Sequence, residues 1–159
     1  MTAGPIRGFG WEEAMHPQRE DLIRTILVGV DGSEESQGAV LVAAGLARVT
    51  KSRLDIACAV PAIEIDSVEP TVLPRSMRTR RTEQAFQMLS TFAEKCGTEA
   101  VTSLLEGGAA DCLAREAERE DVWLVVVGHR GRGAVQRTLL GSVADRLVQT
   151  CPKPVLVTR

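Results

Sequence analysis

The chain has few aromatic side chains: phenylalanine and tryptophan make up 3% of its 159 residues, and tyrosine is absent. Proteins that bind single-stranded nucleic acid stack bases on such side chains, and a net charge of −2 offers no general attraction to nucleic acid or anionic membranes. We therefore expect neither partner. A 44% hydrophobic content with few aromatics means a core of Val, Leu, Ile and Ala, which is typical of a parallel sheet covered by helices.

Long apolar runs and paired cysteines are also missing. No segment approaches the about 20 apolar residues that span a bilayer, and residues 1–10 lack the apolar stretch of a secretory signal. The cysteines occur singly rather than as C-x-x-C pairs, and the two histidines are not at metal-ligand spacing. We expect a cytoplasmic protein with free thiols and no metal-binding cluster. The cysteines are Cys58, Cys96, Cys112 and Cys151.

Apolar runs of strand length alternate with segments of helical periodicity along residues 23–159. This order predicts one three-layer α/β domain, with a five-stranded parallel sheet, right-handed crossovers and helices on both faces. Residues 1–22 are predicted to be an extension, and residues 61–75, which contain three prolines, a long loop. The predicted strands are 23–30, 54–60, 100–105, 122–127 and 155–158, and the predicted helices are 34–49, 77–95, 112–120 (capped by Asp111) and 142–150.

A glycine-rich loop follows the fourth predicted strand. Gly128-His129-Arg130-Gly131 is separated by nine residues from Gly141-Ser142, where a helix should begin. Glycine permits close approach to an anion and positive φ, and a helix start offers unpaired N–H groups, so the pattern predicts a phosphate site. Asp31, which ends the first strand, should face this loop across the crevice of the sheet. The simpler interpretation is that the glycines only shape a turn.

The pattern Gly-x2-Gly-x9-Gly-Ser resembles the signature of the ATP-binding branch of the universal stress protein family. The likeness extends over residues 23–159 and includes 26–33, 141–144 and 151–157. It implies an adenine nucleotide α-hydrolase-like, Rossmann-like fold that binds ATP, with Asp31 suited to help hold Mg²⁺ beside the phosphates. The sequence contains neither G-x-x-x-x-G-K-[ST] nor G-x-G-x-x-G.

The resemblance also implies which residues contact the nucleotide. Asp31 would lie near the adenosine, Val60 would contact the adenine, and the glycines with Ser142 and Val143 would line the ribose and phosphates. Arginines beside the glycines could neutralise phosphate charge or form a solvated basic loop, and His129 is expected to point to solvent rather than to the ligand. The nucleotide-binding residues predicted in this way are Asp31, Val60, Gly128, Arg130, Gly131, Arg132, Gly141, Ser142 and Val143.

The function that the resemblance implies is a nucleotide-dependent sensor or regulator in the stress response, forming a homodimer through the C-terminal strand. No catalytic residue is assigned, because no nucleophile–base arrangement or base for water stands out, so we expect at most slow ATP hydrolysis. Two alternatives remain open at this point. One is an interaction protein of the same fold that is free of nucleotide or binds cyclic AMP. The other is an enzyme of the wider superfamily that uses ATP to adenylate a substrate.

Overall fold

The structure is a computed structural model that describes residues 24–60, 75–131 and 140–159. The predicted extension 1–22 lies outside these residues, as does the predicted loop 61–75 except for Arg75. The elements, in chain order, are β1 (Thr25–Val30), α1 (Glu34–Thr50), β2 (Arg53–Val60), α2 (Arg75–Lys95), β3 (Ala100–Glu106), α3 (Ala109–Glu116), β4 (Val122–Gly128), α4 (Ser142–Thr150) and β5 (Val155–Thr158).

The five strands form one parallel sheet in the order β3-β2-β1-β4-β5. In the centre, Val28 of β1 lies opposite Ile56 of β2 and Val126 of β4. From β1 the chain proceeds outward through β2 to β3, then crosses back to the other side of β1 for β4 and β5. The strand order therefore reverses between β1 and β4, and in open α/β sheets ligands bind at such a switch point.

Two helical layers bury the sheet. On one face α1 and α2 pack on alternate strand residues, with Ala43 of α1 in the same buried cluster as Ile26 and Val28. On the other face α3 and α4 pack on the intervening residues, with Leu147 of α4 in the same buried cluster as Leu27. These layers confirm the predicted three-layer α/β domain, and β5 lies at one edge of the sheet as expected. None of the helices within the described ranges is long and apolar enough to cross a membrane.

The turn between β1 and α1 is specified by its sequence. Ser33 is the N-cap of α1, and its Oγ accepts a hydrogen bond of 3.2 Å from the Ser36 N–H. Gly32 before it has a φ of 84°, a conformation that suits glycine because it has no Cβ. Glu34 and Glu35 lie in the first turn, where negative charge is favourable. This turn fixes the position of Asp31 at the end of β1.

The prediction for α3 was wrong at both ends, because the helix also stops at Glu116 instead of continuing to residue 120. The helix begins at Ala109 rather than Cys112, and its N-cap is Gly108, with no side-chain hydrogen bond at the cap. Gly107, with a φ of 132°, turns the chain immediately after β3, so the helix begins sooner than the polar residues suggest. Asp111 is not a cap: it lies in the first turn and forms an ion pair of 2.7 Å with Arg146 of α4.

A group of hydrogen-bonded polar side chains, which we name the amino-edge cluster (Thr25, Asp55, Ser103, Arg119 and Asp121), lies where the strands begin. The Asp55 side chain is only 4% exposed, and its carboxylate accepts from Arg119 Nη1 at 2.9 Å and Ser103 Oγ at 2.8 Å. Arg119 Nη2 also donates to Asp121 Oδ2 at 2.8 Å, and Thr25 Oγ1 donates to the same oxygen at 2.6 Å. These hydrogen bonds, chiefly those from Arg119, lower the pKa of Asp121 to about 2.

Candidate functional site

Gly128 brings the end of β4 against the start of α1. A Cβ built on Gly128 would lie 2.9 Å from the backbone carbon and from the Cβ of Glu35, closer than non-bonded carbons approach. Any other residue would push the loop after β4 away from the first turn of α1. Glycine is therefore required at this position for close approach between two elements at the switch point.

Gly131 makes a similar contact with the carboxylate of Asp31. A Cβ at Gly131 would overlap Asp31 Oδ2. The other carboxylate oxygen, Oδ1, accepts hydrogen bonds from the Ser33 N–H at 3.0 Å and the Ser33 hydroxyl at 2.6 Å, so the Asp31 side chain has little freedom to move aside. The two residues that the sequence places at the ends of different strands are thus in contact across the crevice.

Gly141 joins the start of α4 to the same loop. Its N–H donates to the His129 carbonyl at 2.7 Å, and an added Cβ would lie 3.1 Å from Arg130 Cα. The His129 N–H in turn donates to the Thr158 carbonyl of β5 at 2.7 Å. Residues 128–131 are consequently held between β5 and α4.

The start of α4 presents backbone donors without a side-chain cap. Gly141 is the N-cap and has no side chain, and the first intrahelical bond at this end runs from the Asp145 N–H to the Gly141 carbonyl at 2.9 Å. The N–H groups of Ser142, Val143 and Ala144 therefore have no acceptor within the helix. Together with the helix dipole they form an arrangement that favours an anion.

The glycines of this loop act by close approach rather than by unusual backbone conformation. Among the described glycines, positive φ occurs at Gly32, Gly97 and Gly107, and not at Gly128, Gly131 or Gly141. The expectation of positive φ therefore does not hold for these three loop glycines. Their common property is the lack of a Cβ where another element or a ligand must come near.

A cleft of about 1260 Å³, which we name the switch-point cleft, opens at this edge of the sheet. It brings together eight of the nine residues that the sequence analysis singled out; the ninth, Arg132, lies outside the described residues. The eight predicted residues that line the cleft are Asp31, Val60, Gly128, Arg130, Gly131, Gly141, Ser142 and Val143.

Small and apolar side chains form the part of the cleft near β2. Ala57, Ala59 and Val60 line it from the sheet, and Met88 lines it from α2. The Val60 carbonyl accepts a hydrogen bond of 2.8 Å from the Gly107 N–H, so one of its two lone pairs is already used. The contribution of α2 was missed by the sequence analysis, because its helical spacing reads as ordinary core packing.

Charges of both signs line the cleft. Arg81, Lys95 and Arg130 contribute cations, while Asp31 and Asp145 contribute carboxylates. Asp145, in the first turn of α4, accepts a hydrogen bond of 2.9 Å from Gln149 Nε2, and the sequence analysis did not single it out. Within residues 24–60, 75–131 and 140–159, no group of three or more His, Cys, Asp or Glu side chains could hold a metal by itself. All four cysteines are free thiols.

His129 does not behave as expected. Its Nδ1 atom is buried and has no hydrogen-bond partner among the described residues, so this nitrogen does not point to solvent. Nor is His129 among the described residues that line the switch-point cleft. Its visible role is through its backbone, which links the loop to β5 and to α4.

Comparison with known proteins agrees with this architecture. The sequence profile of the universal stress protein family matches residues 22–159. A universal stress protein of Methanocaldococcus jannaschii is 30% identical over 149 residues, which cover 88% of this chain and 84% of that protein.

Two solved structures share the fold. A universal stress protein in complex with cAMP superimposes with a TM-score of 0.65 at 24% identity, over 87% of this chain and 98% of that one. A universal stress protein from Archaeoglobus fulgidus in complex with dAMP gives a TM-score of 0.64 at 20% identity, over 87% and 99% of the two chains.

Proposed function

The chain belongs to the universal stress protein family, and on that premise we propose that it binds ATP in the switch-point cleft as a nucleotide-dependent sensor or regulator in the stress response. One observation carries the proposal. Two residues without a Cβ, Gly131 and Gly141, lie against Asp31 and Arg130 beside the uncapped start of α4, and all of them line one cleft.

The phosphate end of the ligand fits the start of α4. The N–H groups of Ser142 and Val143, which have no acceptor within the helix, and the Ser142 hydroxyl are hydrogen-bond donors, and Gly141 lets the loop at Arg130 lie close beside them. Arg130 adds positive charge in the same cleft. Arg132 has the same proposed role on sequence grounds alone.

The adenosine end fits the β1–β2 side of the cleft. Asp31 is held by Ser33 in an orientation from which its carboxylate can accept hydrogen bonds from ribose hydroxyls. Val60 and the neighbouring alanines offer an apolar surface for the base. Ligand pockets commonly measure about 300–1000 Å³, so a cleft of about 1260 Å³ has room for a nucleotide.

Carboxylates in the cleft suit a Mg²⁺ ion that arrives with the phosphates. Mg²⁺ in such sites keeps several waters and takes one or two carboxylates together with phosphate oxygens, and Asp31 and Asp145 are the candidates here. The ion would supply charge neutralisation. We assign no side chain as a base for water, so the proposed activity is binding, with hydrolysis slow at most.

Cyclic AMP is the second candidate ligand, favoured by the solved universal stress protein that contains it. A cyclic monophosphate has a single phosphate and would leave part of the donor array at Ser142–Ala144 unused. For that reason we place ATP first. An adenylating enzyme would need, in addition, a second substrate bound beside the α-phosphate.

We further propose a cytoplasmic homodimer formed through β5. This strand pairs with β4 and lies at an edge of the sheet, with Val155, Leu156 and Val157 only partly buried. Strand edges of this kind pair readily with a second copy.

The test begins with protein purified without added nucleotide, from which bound nucleotide is extracted and identified. The apo protein is then titrated calorimetrically with ATP and with cyclic AMP. Ser142→Ala should weaken ATP binding about 10- to 150-fold, because a hydrogen bond to a charged group contributes about 1.5–3 kcal/mol. Ser90→Ala, an exposed serine of α2 outside the described lining, is the matched control and should bind like the parent.

Each result of the titration has a distinct meaning. If neither nucleotide binds, the glycine loop is a structural turn and the proposal fails. If cyclic AMP binds and ATP does not, the ligand assignment changes while the site stands. Unchanged ATP affinity in Ser142→Ala would show that the hydroxyl serves only the helix.

A further inference from the structure

The side of α1 that faces away from the sheet exposes apolar side chains. Leu41 is 61% exposed, Val42 42% and Val49 83%, while the alanines on the opposite side of the helix are buried against the sheet. Residues 36–47 contain no charged side chain. Solvated helix faces usually carry charge, so an exposed apolar face of this length indicates an interaction surface.

The residues on this side have the spacing of a helix–helix contact. They follow one another at intervals of three and four residues in alternation, which is the repeat that keeps one face of a helix against a second helix. We name them the outer face of α1: Glu35, Gly38, Leu41, Val42, Gly45, Arg48 and Val49.

Glycine at two positions of the outer face lets a second helix approach closely. A Cβ built on Gly38 or Gly45 would meet nothing within 4 Å, and neither residue has a positive φ. Alanine would fit both positions and would favour the helix more, so the fold of a single chain gives no reason for glycine there. Without these two Cβ atoms the surface is lower on both sides of Leu41 and Val42, and side chains of a second helix can pack against the backbone.

The charges at the two ends of α1 have opposite sign. Glu34 and Glu35 lie in the first turn, and Arg48 lies in the last. Two antiparallel copies of this helix would place the acidic end of each beside the basic end of the other, whereas two parallel copies would bring like charges together. The charge pattern therefore favours an antiparallel pair of identical helices.

A twofold axis between Leu41 and Val42 makes the outer face complementary to itself. Each of these two side chains then lies opposite the other in the second copy, glycine lies opposite glycine one turn away, and Glu35 lies opposite Arg48 at both ends. We propose that two copies of this chain associate through the outer face of α1 in this antiparallel arrangement. The surface is separate from the β5 edge and does not depend on nucleotide binding. One helix face is small beside a standard protein interface, so the association is reversible and depends on concentration.

Sedimentation of the full chain over a wide range of concentration tests the surface. We expect an association step that Leu41→Asp removes, because the new carboxylate would be buried at the axis against the same carboxylate of the second copy. Phe86→Asp is the matched control: Phe86 is 53% exposed on α2, which packs on β2 and β3, and its replacement should leave that step unchanged. An association through β5 would persist in both variants.

Charge reversal tests the antiparallel arrangement. Glu35→Lys would bring two cations together at each end of the pair, and Arg48→Glu would bring two carboxylates together. Each variant alone should associate at least about tenfold more weakly than the parent. An equimolar mixture of the two variants should regain the association of the parent, because opposite charges then meet at both ends. Circular dichroism confirms that each variant is folded.

Each result either supports the proposal or overturns it. Association restored in the mixture supports it, because only an antiparallel contact pairs residue 35 of one copy with residue 48 of the other at both ends. If the parent shows no association step that Leu41→Asp removes, a second copy does not cover the outer face and the proposal fails. If the mixture associates no better than the two variants alone, the contact is not antiparallel and the proposal fails as well.

Discussion

The two ends of the central strands satisfy their polar groups in different ways. At the amino edge, side chains bind one another: Arg119 bridges Asp55 and Asp121, and Asp55 is nearly inaccessible to water. At the carboxyl edge, backbone groups dominate, and glycines bring the loop after β4 close to Asp31 and to α4. The donors of α4 then face an open cleft instead of a partner within the helix.

We infer from this difference that the amino edge contributes mainly to stability and the carboxyl edge mainly to ligand binding. A buried carboxylate that loses its arginine is left charged and poorly solvated, which destabilises the folded chain. A backbone N–H that faces a cleft can exchange water for a ligand oxygen, so its loss changes affinity more than folding. Changes at the amino edge should therefore alter the free energy of unfolding, and changes at the carboxyl edge should alter nucleotide affinity.

The largest effect should come from Arg119→Ala. It leaves the Asp55 carboxylate buried with Ser103 as its remaining partner in the cluster, and we expect a loss of about 3 kcal/mol in the free energy of unfolding. Urea unfolding measures this loss, and calorimetry should find ATP affinity unchanged where the protein is folded. Arg146→Ala is the matched control, because its ion pair with Asp111 is more than half exposed at both ends. It should cost at most about 1 kcal/mol.

Equal losses in the two arginine variants would show that burial of Asp55 does not matter for stability. Weaker ATP binding in folded Arg119→Ala protein would mean that the two edges of the sheet are coupled. Either outcome would contradict the assignment of stability to the amino edge and of nucleotide affinity to the carboxyl edge.

Gly131→Val should have the next largest effect, at the opposite edge. The new side chain would overlap the Asp31 carboxylate, which Ser33 holds in place, and would occupy space beside Arg130 and α4. We expect ATP affinity to fall at least about 100-fold, or about 2.7 kcal/mol, measured calorimetrically on protein shown to be folded by circular dichroism.

Gly45→Ala provides the control for this change, since a Cβ there meets nothing within 4 Å and Gly45 is remote from the lining of the cleft. Its affinity should equal that of the parent. Full binding by Gly131→Val would remove Gly131 from the proposed site.

The fold could be predicted from the sequence because the buried strands are recognisable as short apolar runs. Val122–Val127 and Ile26–Val30 are apolar on both faces, as central parallel strands must be, and the glycines after β3 and β4 mark where strands end. Helix starts were less predictable. Asp111 has the chemistry of a cap, but Gly107 turns the chain four residues earlier, and local sequence does not reveal which signal prevails.

The residues of the candidate site could be predicted from the sequence, but the contacts between them could not. Pattern and resemblance indicated Gly131 and Gly141, and the structure places both in the cleft. They did not indicate that glycine is needed there because Gly131 lies against Asp31 and Gly141 against Arg130, and not because of a positive φ. Asp31 is distant in sequence from Gly131, and the approach of Arg130 to Gly141 depends on the path of the loop. The contributions of Met88 and Asp145 were missed for the same reason: only packing of α2 and α4 brings them to the cleft.

The smallest predicted effect is a pH dependence of stability at the amino edge. The pKa of Asp121 falls from its ordinary 3.8 to about 2 in the folded chain, chiefly through hydrogen bonds from Arg119. Because the folded pKa is the lower one, the stabilisation is complete above about pH 5 and is lost as the pH falls through 3.8 toward 2. The side chain is 32% exposed, so solvent screening reduces the contribution to about 1 kcal/mol.

Asp121→Asn makes this contribution measurable. The amide has no charge to lose, so the difference in unfolding free energy between parent and variant should be largest near pH 6 and should shrink as the pH is lowered toward 2. Thr25→Val, which removes the hydroxyl donor to Oδ2, should weaken the same pH dependence in part, because Arg119 still binds the carboxylate. A difference that stays constant with pH would mean that Asp121 stabilises the amino edge by its shape and not by its charge.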